Sequence, residues 1–165
     1  MIYRSSPDEE LSQGDIIRSV RVLIDVNGAE SHEPLYGLSN IIVMSRNCEI
    51  SKRSANVPST NSVLVARVVR LSAAPQNLKG DIKRNRVESI HYLPEQDDLM
   101  EECFIDWRSF QPIDKMNLYK LREQNYKCTL EKTYFQDCME DFFLFLTKPD
   151  PAEVADTIVD DTKQN

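Results

Sequence analysis

The sequence predicts a mainly β domain with an antiparallel sheet and one C-terminal helix. The first observation is a series of short segments, apolar or alternating, each about as long as a typical strand. The second is that too little helical pattern separates them for parallel βαβ units, so neighbouring strands should run antiparallel. The third is one long helical pattern near the C-terminus. With 165 residues, 41% of them hydrophobic, the chain is long enough for one core.

The first strand is predicted at residues 15–26, where valine and isoleucine alternate with other side chains. This period of two is typical of a strand with one buried face. Asn27-Gly28 follows, and this dipeptide accepts the positive φ angles of a tight hairpin turn. Residues 1–12 are polar and charged, and they predict an N-terminal arm whose docking the sequence leaves open. We expect a single domain over residues 13–148.

Two central strands are predicted next. Residues 41–44 form a continuous apolar run between polar residues, as expected for a strand buried on both faces. Residues 51–62 are rich in turn-forming residues and predict a loop. Residues 63–71 are β-branched and apolar except at Arg67 and Arg70, which predicts another strand.

The region after this strand is less regular. Ser72 is placed to cap a short helix that includes Leu78 and Ile82, although Gly80 within it disfavours a helix by about 1 kcal/mol. Three short strands are predicted beyond it. They cover residues 89–93, 103–107 and 116–121, and they are separated by Pro94, acidic residues and Pro112.

The C-terminal helix is predicted at about residues 130–147. Its apolar residues recur three to five positions apart and project onto one broad face that can cover a sheet. Pro149 ends it, and residues 149–165, with five acids and one lysine, are expected to form an acidic, flexible tail. Phe143 and Leu144 lie at the margins of the apolar face. If both are exposed they are candidates for contact with another chain; the alternative is that they pack on the sheet or the tail.

The charge pattern argues against a general nucleic-acid binder. The formal net charge is −7, whereas affinity for phosphates comes largely from clustered lysine and arginine. Residues 79–86 are locally basic, which predicts either a solvated surface or a weak anion or RNA footprint. This segment has no aromatic side chain on which a base could stack. Its basic residues are Lys79, Lys83, Arg84 and Arg86.

The cysteine and histidine patterns give little support for catalysis. The four cysteines have no CxxC spacing, which excludes a zinc ribbon, and we expect reduced thiols. Cys48, near Arg46 at the end of a predicted strand, is either a buried structural cysteine or a reactive thiol that iodoacetamide would label. There are only two histidines, and no metal or cofactor site is assigned.

The sequence contains no run of about 18 apolar residues, the length that a transmembrane helix needs. Its first fifteen residues lack the apolar stretch of a signal peptide. We therefore expect a cytoplasmic protein that has no membrane contact.

Three short elements in order resemble the PemK/MazF-type toxin family. They are Gly14-Asp15-Ile16, the apolar segment 41–45 and the apolar segment 63–72, which ends in Ser72. The resemblance covers roughly residues 14–72 and the position of the terminal helix. It implies a strongly curved antiparallel SH3-like barrel, RNA cleavage, and binding of antitoxin peptides in the same groove. Where this family carries an arginine before its apolar strand, this chain has Leu38-Ser39-Asn40.

A second resemblance is carried by Ser45, Cys48, Glu49 and Ile50, a Ser-x-x-Cys-Asp/Glu-Ile element that follows a strand. It is similar to an element in bacterial barrel proteins found beside prokaryotic antiviral systems, including CRISPR-associated ones. This resemblance implies a cellular setting and no particular reaction.

These patterns lead to two hypotheses of different classes. The first is a non-catalytic protein-binding module that contacts another protein of the same operon through Phe143 and Leu144. The alternative is a sequence-selective endoribonuclease that uses Arg67 or Arg70 with Ser72, the basic residues of 79–86 holding the RNA backbone. The sequence does not specify the oligomeric state.

Overall fold

The computed structural model describes residues 1–24, 35–50 and 61–148, except for the side chains of Cys48 and Glu49. Within these residues the strands are β1 (Tyr3–Arg4), β2 (Asp15–Ile24), β3 (Leu35–Val43), β4 (Ser62–Arg70), β5 (Ile90–Leu93), β6 (Cys103–Asp114) and β7 (Tyr126–Leu130). The helices are α1 (Asn47–Ile50), a 3₁₀ helix (Leu71–Ala73), α2 (Lys79–Lys83), α3 (Lys115–Asn125) and α4 (Lys132–Thr147).

The strands form one sheet in the order β1-β7-β2-β3-β4-β6-β5, and every pair in it is antiparallel. The sheet is strongly curled into a half-barrel. The side-chain amide of Gln111 in β6 accepts from the backbone N–H of Leu23 in β2 at 2.8 Å and donates to the Leu23 carbonyl at 3.2 Å. This clamp joins two strands that are not neighbours in the sheet. The predicted fold class, mainly antiparallel β with a C-terminal helix, is confirmed.

β2 confirms the first predicted strand and its alternation. Val20 and Val22 are buried, whereas Arg21 between them is exposed. β2 is described as far as Ile24, and residues 25 and 26 of the predicted strand lie outside the described residues. The predicted Asn27-Gly28 turn lies outside the described residues.

β3 and β4 confirm the two central strands. Ile41 and Ile42 are both fully buried, although neighbouring side chains of a strand point to opposite faces. The sheet is therefore covered on both faces at this point, as the apolar run predicted. Ser62 is the first residue of β4 and not the last of the preceding loop, while residues 51–60 of that loop lie outside the described residues.

Two clusters of buried side chains account for this double coverage. The α4 core combines Ile42 and Trp107 of the sheet with Phe135, Cys138 and Phe142 of α4. Helix α4 thus covers the sheet as predicted. The α3 core includes Ile41, Val43 and Val65 of the sheet with Leu118 and Tyr119 of α3.

Ser72 does not cap a helix, contrary to the prediction. It lies inside the 3₁₀ helix, and α2 begins only at Lys79, after Leu78. Pro75 explains the break, because a proline disfavours helical backbone in the residue before it. Ala74 accordingly has an extended conformation, with φ of −73° and ψ of 150°.

The strand predicted at residues 116–121 is wrong, because these residues belong to α3. The Asp114 side chain accepts the backbone N–H of Asn117 at 2.7 Å and caps the helix. Pro112 does not separate two elements either, since β6 continues through it. Among the described strands, β5 pairs only with the first part of β6, so Pro112 lies beyond this pairing, where a missing N–H is tolerated.

The sequence analysis missed the two strands that join the chain ends to the sheet. β1 pairs with β7, placing Tyr3 opposite Leu130, and Tyr3 is completely buried. Part of the N-terminal arm is therefore docked. Because Leu130 ends β7, α4 begins two residues later than predicted, at Lys132. In the described ranges, every helix is too short or too polar to span a bilayer.

Candidate functional site

Helix α4 directs three large apolar side chains away from its core. Phe142 faces the core, and successive helical residues are rotated by about 100°, so the next residues point elsewhere. The exposed fractions are 58% for Phe143, 66% for Leu144 and 48% for Leu146. We call these three residues the α4 surface. Phe143 and Leu144 thus have the exposure that contact with another chain requires.

A groove of about 480 Å³ lies beside the α4 surface, between the last turns of α4 and the segment that leads into β5. The Lys148 ammonium and the Glu88 carboxylate, which both line it, form an ion pair. A concave, mainly apolar site with a few polar groups is the usual form of a ligand pocket. We call it the α4 groove. Its lining is apolar at Val87, Ile90, Leu144 and Phe145 and polar at Asn85, Glu88, Asp141, Thr147 and Lys148.

A buried histidine fixes one polar residue of this groove. His91 Nδ1 lies 2.5 Å from Asp141 Oδ2, and because a carboxylate only accepts, Nδ1 carries the proton. His91 is buried, with its ring edge-to-face against Tyr134 at 5.8 Å. Its other nitrogen, Nε2, and Trp107 Nε1 are buried without a hydrogen-bond partner among the described residues. The bond to His91 therefore holds Asp141 in one orientation, next to two buried nitrogen atoms that lack a described hydrogen-bond partner.

The three residues of the ribonuclease hypothesis do not all line one pocket. Arg67 Nε donates to Ser39 Oγ at 3.4 Å, and Arg67 lines a pocket next to β6. Arg70 Nε instead donates to Glu101 at 2.8 Å. Ser72 lines a different pocket from Arg67. A shared site for phosphodiester cleavage would need these groups around one phosphate.

The pocket around Arg67, which we call the mouth pocket, encloses about 430 Å³. It forms where β6 bulges, since Arg67 pairs with Asp106 while Val65, two residues earlier in β4, pairs with Gln111. Arg108 also lines the pocket, but its guanidinium is held by both carboxylate oxygens of Asp106 at 2.9 and 3.0 Å. The other lining residues are Leu23, Asp106, Ser109, Phe110 and Gln111.

The basic segment 79–86 is surrounded by carboxylates. Lys83 Nζ lies 2.6 Å from Glu102, and Arg86 lies 3.9 Å from Asp81. The bond from Lys83 lowers the pKa of Glu102, with a second contribution from the Tyr92 hydroxyl. Lys79 and Lys83 share their pocket with Ser72 and with Glu95, Glu101 and Glu102. The positive charge of Lys83 and Arg86 is thus offset by neighbouring carboxylates, and Arg84 is exposed.

The described thiols are suited to packing and not to nucleophilic chemistry. Cys103, Cys128 and Cys138 are free and buried. Burial raises the pKa of Cys103 and of Cys128 to about 12, and it raises the pKa of Cys138 as well. The thiol of Cys48 lies outside the described side chains. No group of three or more potential metal ligands occurs in the parts of the chain that the structure describes.

A second carboxylate site, at the docked arm, was not identified from the sequence. Asp15 is completely buried, and it accepts from Arg122 Nε at 2.8 Å, from Thr129 Oγ1 at 2.5 Å and from the Ser12 N–H at 3.0 Å. Burial raises the pKa of Asp15, and these hydrogen bonds oppose that shift. The site ties β2 to α3, β7 and the arm. Only the Gly-Asp-Ile element marked this position in the sequence.

The α4 groove also escaped sequence reasoning, since its two walls come from distant parts of the chain. His91 and Asp141 are 50 residues apart, and only the packing of α4 on β5 brings them together. No protein-family model matches the chain, and no curated protein matches it either.

Proposed function

We propose that this protein is a non-catalytic protein-binding module, acting as an accessory or regulatory subunit of a bacterial stress or antiviral-defence assembly. The observation that carries the proposal is the α4 surface, which leaves Phe143 and Leu144 exposed beside an apolar groove. The partner is another protein of the same operon. The setting, which includes CRISPR-associated assemblies, comes from the Ser-x-x-Cys-Asp/Glu-Ile resemblance alone.

The α4 surface has the composition of an interface centre. Protein interfaces are organised around aromatic and aliphatic anchors that lose contact with water, surrounded by a polar rim. Phe143 stands next to Phe142, with ring centroids 6.3 Å apart, and Phe142 is packed in the α4 core. Phe143 therefore lies on a helix whose opposite side is packed in the core. Covering the exposed parts of Phe143 and Leu144 would contribute roughly 2–3 kcal/mol before any ordering cost.

The separation of the ribonuclease candidates also supports a binding role. Arg70 is paired with Glu101, and Ser72 lies among glutamates that would repel a phosphate. Within residues 79–86, Lys83 and Arg86 have acidic partners of their own. None of these positions offers a concentrated positive potential for an RNA backbone.

The test compares two exposed apolar positions on different helices. The tagged protein is co-expressed with the products of its neighbouring genes, and the Phe143→Asp, Leu144→Asp double variant is compared with Met116→Asp on α3. Met116 is 56% exposed, so its substitution introduces the same kind of charge on a surface outside α4. We expect the double variant to lose a stoichiometric partner that Met116→Asp keeps. Retention of every partner by a double variant with an unchanged circular dichroism spectrum would overturn the proposal.

The second candidate function is endoribonuclease activity at the mouth pocket. One observation favours it: Arg67 opens into a pocket that also holds Phe110, an aromatic ring on which a base could stack. On this hypothesis the purified protein cleaves RNA, and Arg67→Ala abolishes cleavage. Arg70→Ala is the matched control, because Arg70 is already paired outside the pocket. A stable RNA substrate would exclude this function.

A further inference from the structure

We propose that the α4 groove binds an arginine or lysine side chain of the partner protein, with Asp141 receiving its charged end. This inference rests on the proposed function, since it assigns chemistry to the segment that reaches the α4 surface. Leu144 belongs both to the α4 surface and to the groove, so one bound segment contacts both.

The walls of the groove suit the stem of a basic side chain. Val87, Ile90, Leu144 and Phe145 supply apolar atoms from both sides. Lysine and arginine carry three or four methylene groups below the charged end, and these groups pack on apolar surface while the end stays polar. The groove volume of about 480 Å³ exceeds what one such side chain fills, so it also admits part of the adjoining backbone.

The charge of the groove selects a cation. Lys148 and Glu88 compensate each other as an ion pair, so Asp141 is the uncompensated charge among the lining residues. His91 Nδ1 occupies Asp141 Oδ2, and the carboxylate keeps further lone pairs that can accept from a ligand. Nearby on α4, the exposed Glu140 adds negative potential.

Other occupants fit less well. An acidic segment would be repelled by Asp141 and by its neighbours on α4. A purely apolar segment would cover a carboxylate whose side chain is 40% exposed and would remove its water without replacing it. A guanidinium or ammonium group compensates for that desolvation with a charge-assisted hydrogen bond.

His91 gives the site its geometry. A carboxylate on an exposed helix normally samples several rotamers, and part of any binding energy is then lost in ordering it. The short bond to the buried imidazole fixes Asp141 before a partner arrives. Since His91 Nε2 and Trp107 Nε1 have no described partner, the polar atoms below the groove have unused hydrogen-bonding capacity.

The experiment uses a randomised-peptide display library selected on the full-length protein. We expect the enriched peptides to carry arginine or lysine next to apolar residues. For such a peptide, Asp141→Asn should weaken binding by about tenfold, the change that corresponds to about 1.4 kcal/mol. Asp137→Asn is the matched control, because it removes the same charge from an exposed position one turn away that does not line the groove, and it should change binding less than twofold.

A double-mutant cycle distinguishes loss of the contact with Asp141 from an indirect effect of the substitution on folding. Replacing the basic residue of the peptide by glutamine should weaken binding to the wild type by the same factor and should have no further effect on Asp141→Asn. Enrichment of peptides without basic residues, or equal loss with Asp141→Asn and Asp137→Asn, would overturn the inference. If those peptides still depend on Leu144, the proposed binding role stands. If no peptide is enriched, the inference is overturned together with the binding role assigned to this surface.

Discussion

Two carboxylates of this protein are each bonded to a basic side chain, but their surroundings differ. Asp15 is completely buried and accepts hydrogen bonds from three residues. Asp141 is 40% exposed at a groove and accepts one described hydrogen bond, from His91. The first arrangement is complete within the chain, whereas the second is open to a ligand. A buried ionic group with all its partners points to a structural role, and a fixed but accessible one points to binding.

The apolar residues near the two carboxylates differ in the same way, being buried near Asp15 and exposed near Asp141. Around Asp15, the arm residue Tyr3 and strand residue Leu130 are packed in the α4 core. Beside Asp141, Phe143 and Leu144 remain exposed. Natural surfaces rarely leave such a patch without a function, which is why the groove end is assigned to a partner.

The largest effect is expected when Asp15 loses its guanidinium. Arg122→Leu should destabilise the protein by about 3–5 kcal/mol, because it leaves a completely buried carboxylate without a countercharge. Urea unfolding followed by circular dichroism measures this loss. Arg108→Leu is the control, since Arg108 also donates to an aspartate, Asp106, but has a 63% exposed side chain. A loss of similar size for Arg108→Leu would contradict the argument that burial of Asp15 makes its arginine important for stability.

The backbone next to Asp15 should be similarly intolerant of change. Gly14 has a φ of +88°, and a Cβ atom there would lie 3.3 Å from the Leu130 carbonyl oxygen. Gly14→Ala should therefore destabilise the protein by roughly 2 kcal/mol. The control is Gly80→Ala in α2, where nothing lies within 4 Å and alanine should stabilise by about 0.5–1 kcal/mol. If both substitutions raised the urea midpoint, the backbone at Gly14 would be under no such constraint.

Substitution of His91 tests whether the accessible carboxylate, Asp141, contributes to stability. His91→Phe keeps an aromatic ring of similar size and removes both nitrogens, including the unpartnered Nε2. We expect a change in unfolding free energy of no more than about 1 kcal/mol, since Asp141 can be hydrated when its donor is lost. A loss as large as that for Arg122→Leu would mean that His91 and Asp141 form a structural pair like Asp15 and Arg122.

Periodicity predicted the parts of the fold that depend on local pattern. β2 alternates and the apolar residues of α4 recur three to five positions apart, and the structure has a strand and a helix at these places. The sequence of α3 does not predict a helix, because its apolar residues are few and its main helix signal is the single cap at Asp114. β7 is not predicted because its alternating pattern covers only five residues between two helices, and its burial depends on β1 and β2 pairing on either side.

The candidate site, like the fold, is predictable from the sequence only where it depends on local pattern. The exposure of Phe143 and Leu144 followed from the width of the apolar face on α4. The groove did not, because Val87 and Ile90 reach α4 only through the pairing of β5 with β6. The separation of Arg67 from Ser72 depends likewise on the 3₁₀ helix after β4 and on the bulge in β6. Contacts between residues distant in sequence leave no periodic signal.

The smallest expected effect concerns the arm beside Asp15, where the carboxylate of Asp8 is exposed. Hydrogen bonds from Arg4, at 2.6 and 2.7 Å, and from Ser12 lower the pKa of Asp8 from 3.8 to about 2. A lowered pKa in the folded state means that the pairing stabilises the protein above pH 3.8 and that this stability is lost as the pH falls towards 2. Both side chains are more than a third exposed, so the loss should be only about 0.5 kcal/mol.

Arg4→Gln should remove this part of the acid sensitivity. Urea unfolding above pH 3.8 and near pH 2 measures the loss for the wild type and for the variant, and the wild type should lose more. The difference should shrink in high salt, because exposed charges are screened. Equal losses would show that the arm is held by Tyr3 and Asp15 alone. A difference of several kcal/mol would instead show that Asp8 is part of the buried hydrogen-bond network of Asp15, because only a desolvated pair contributes that much.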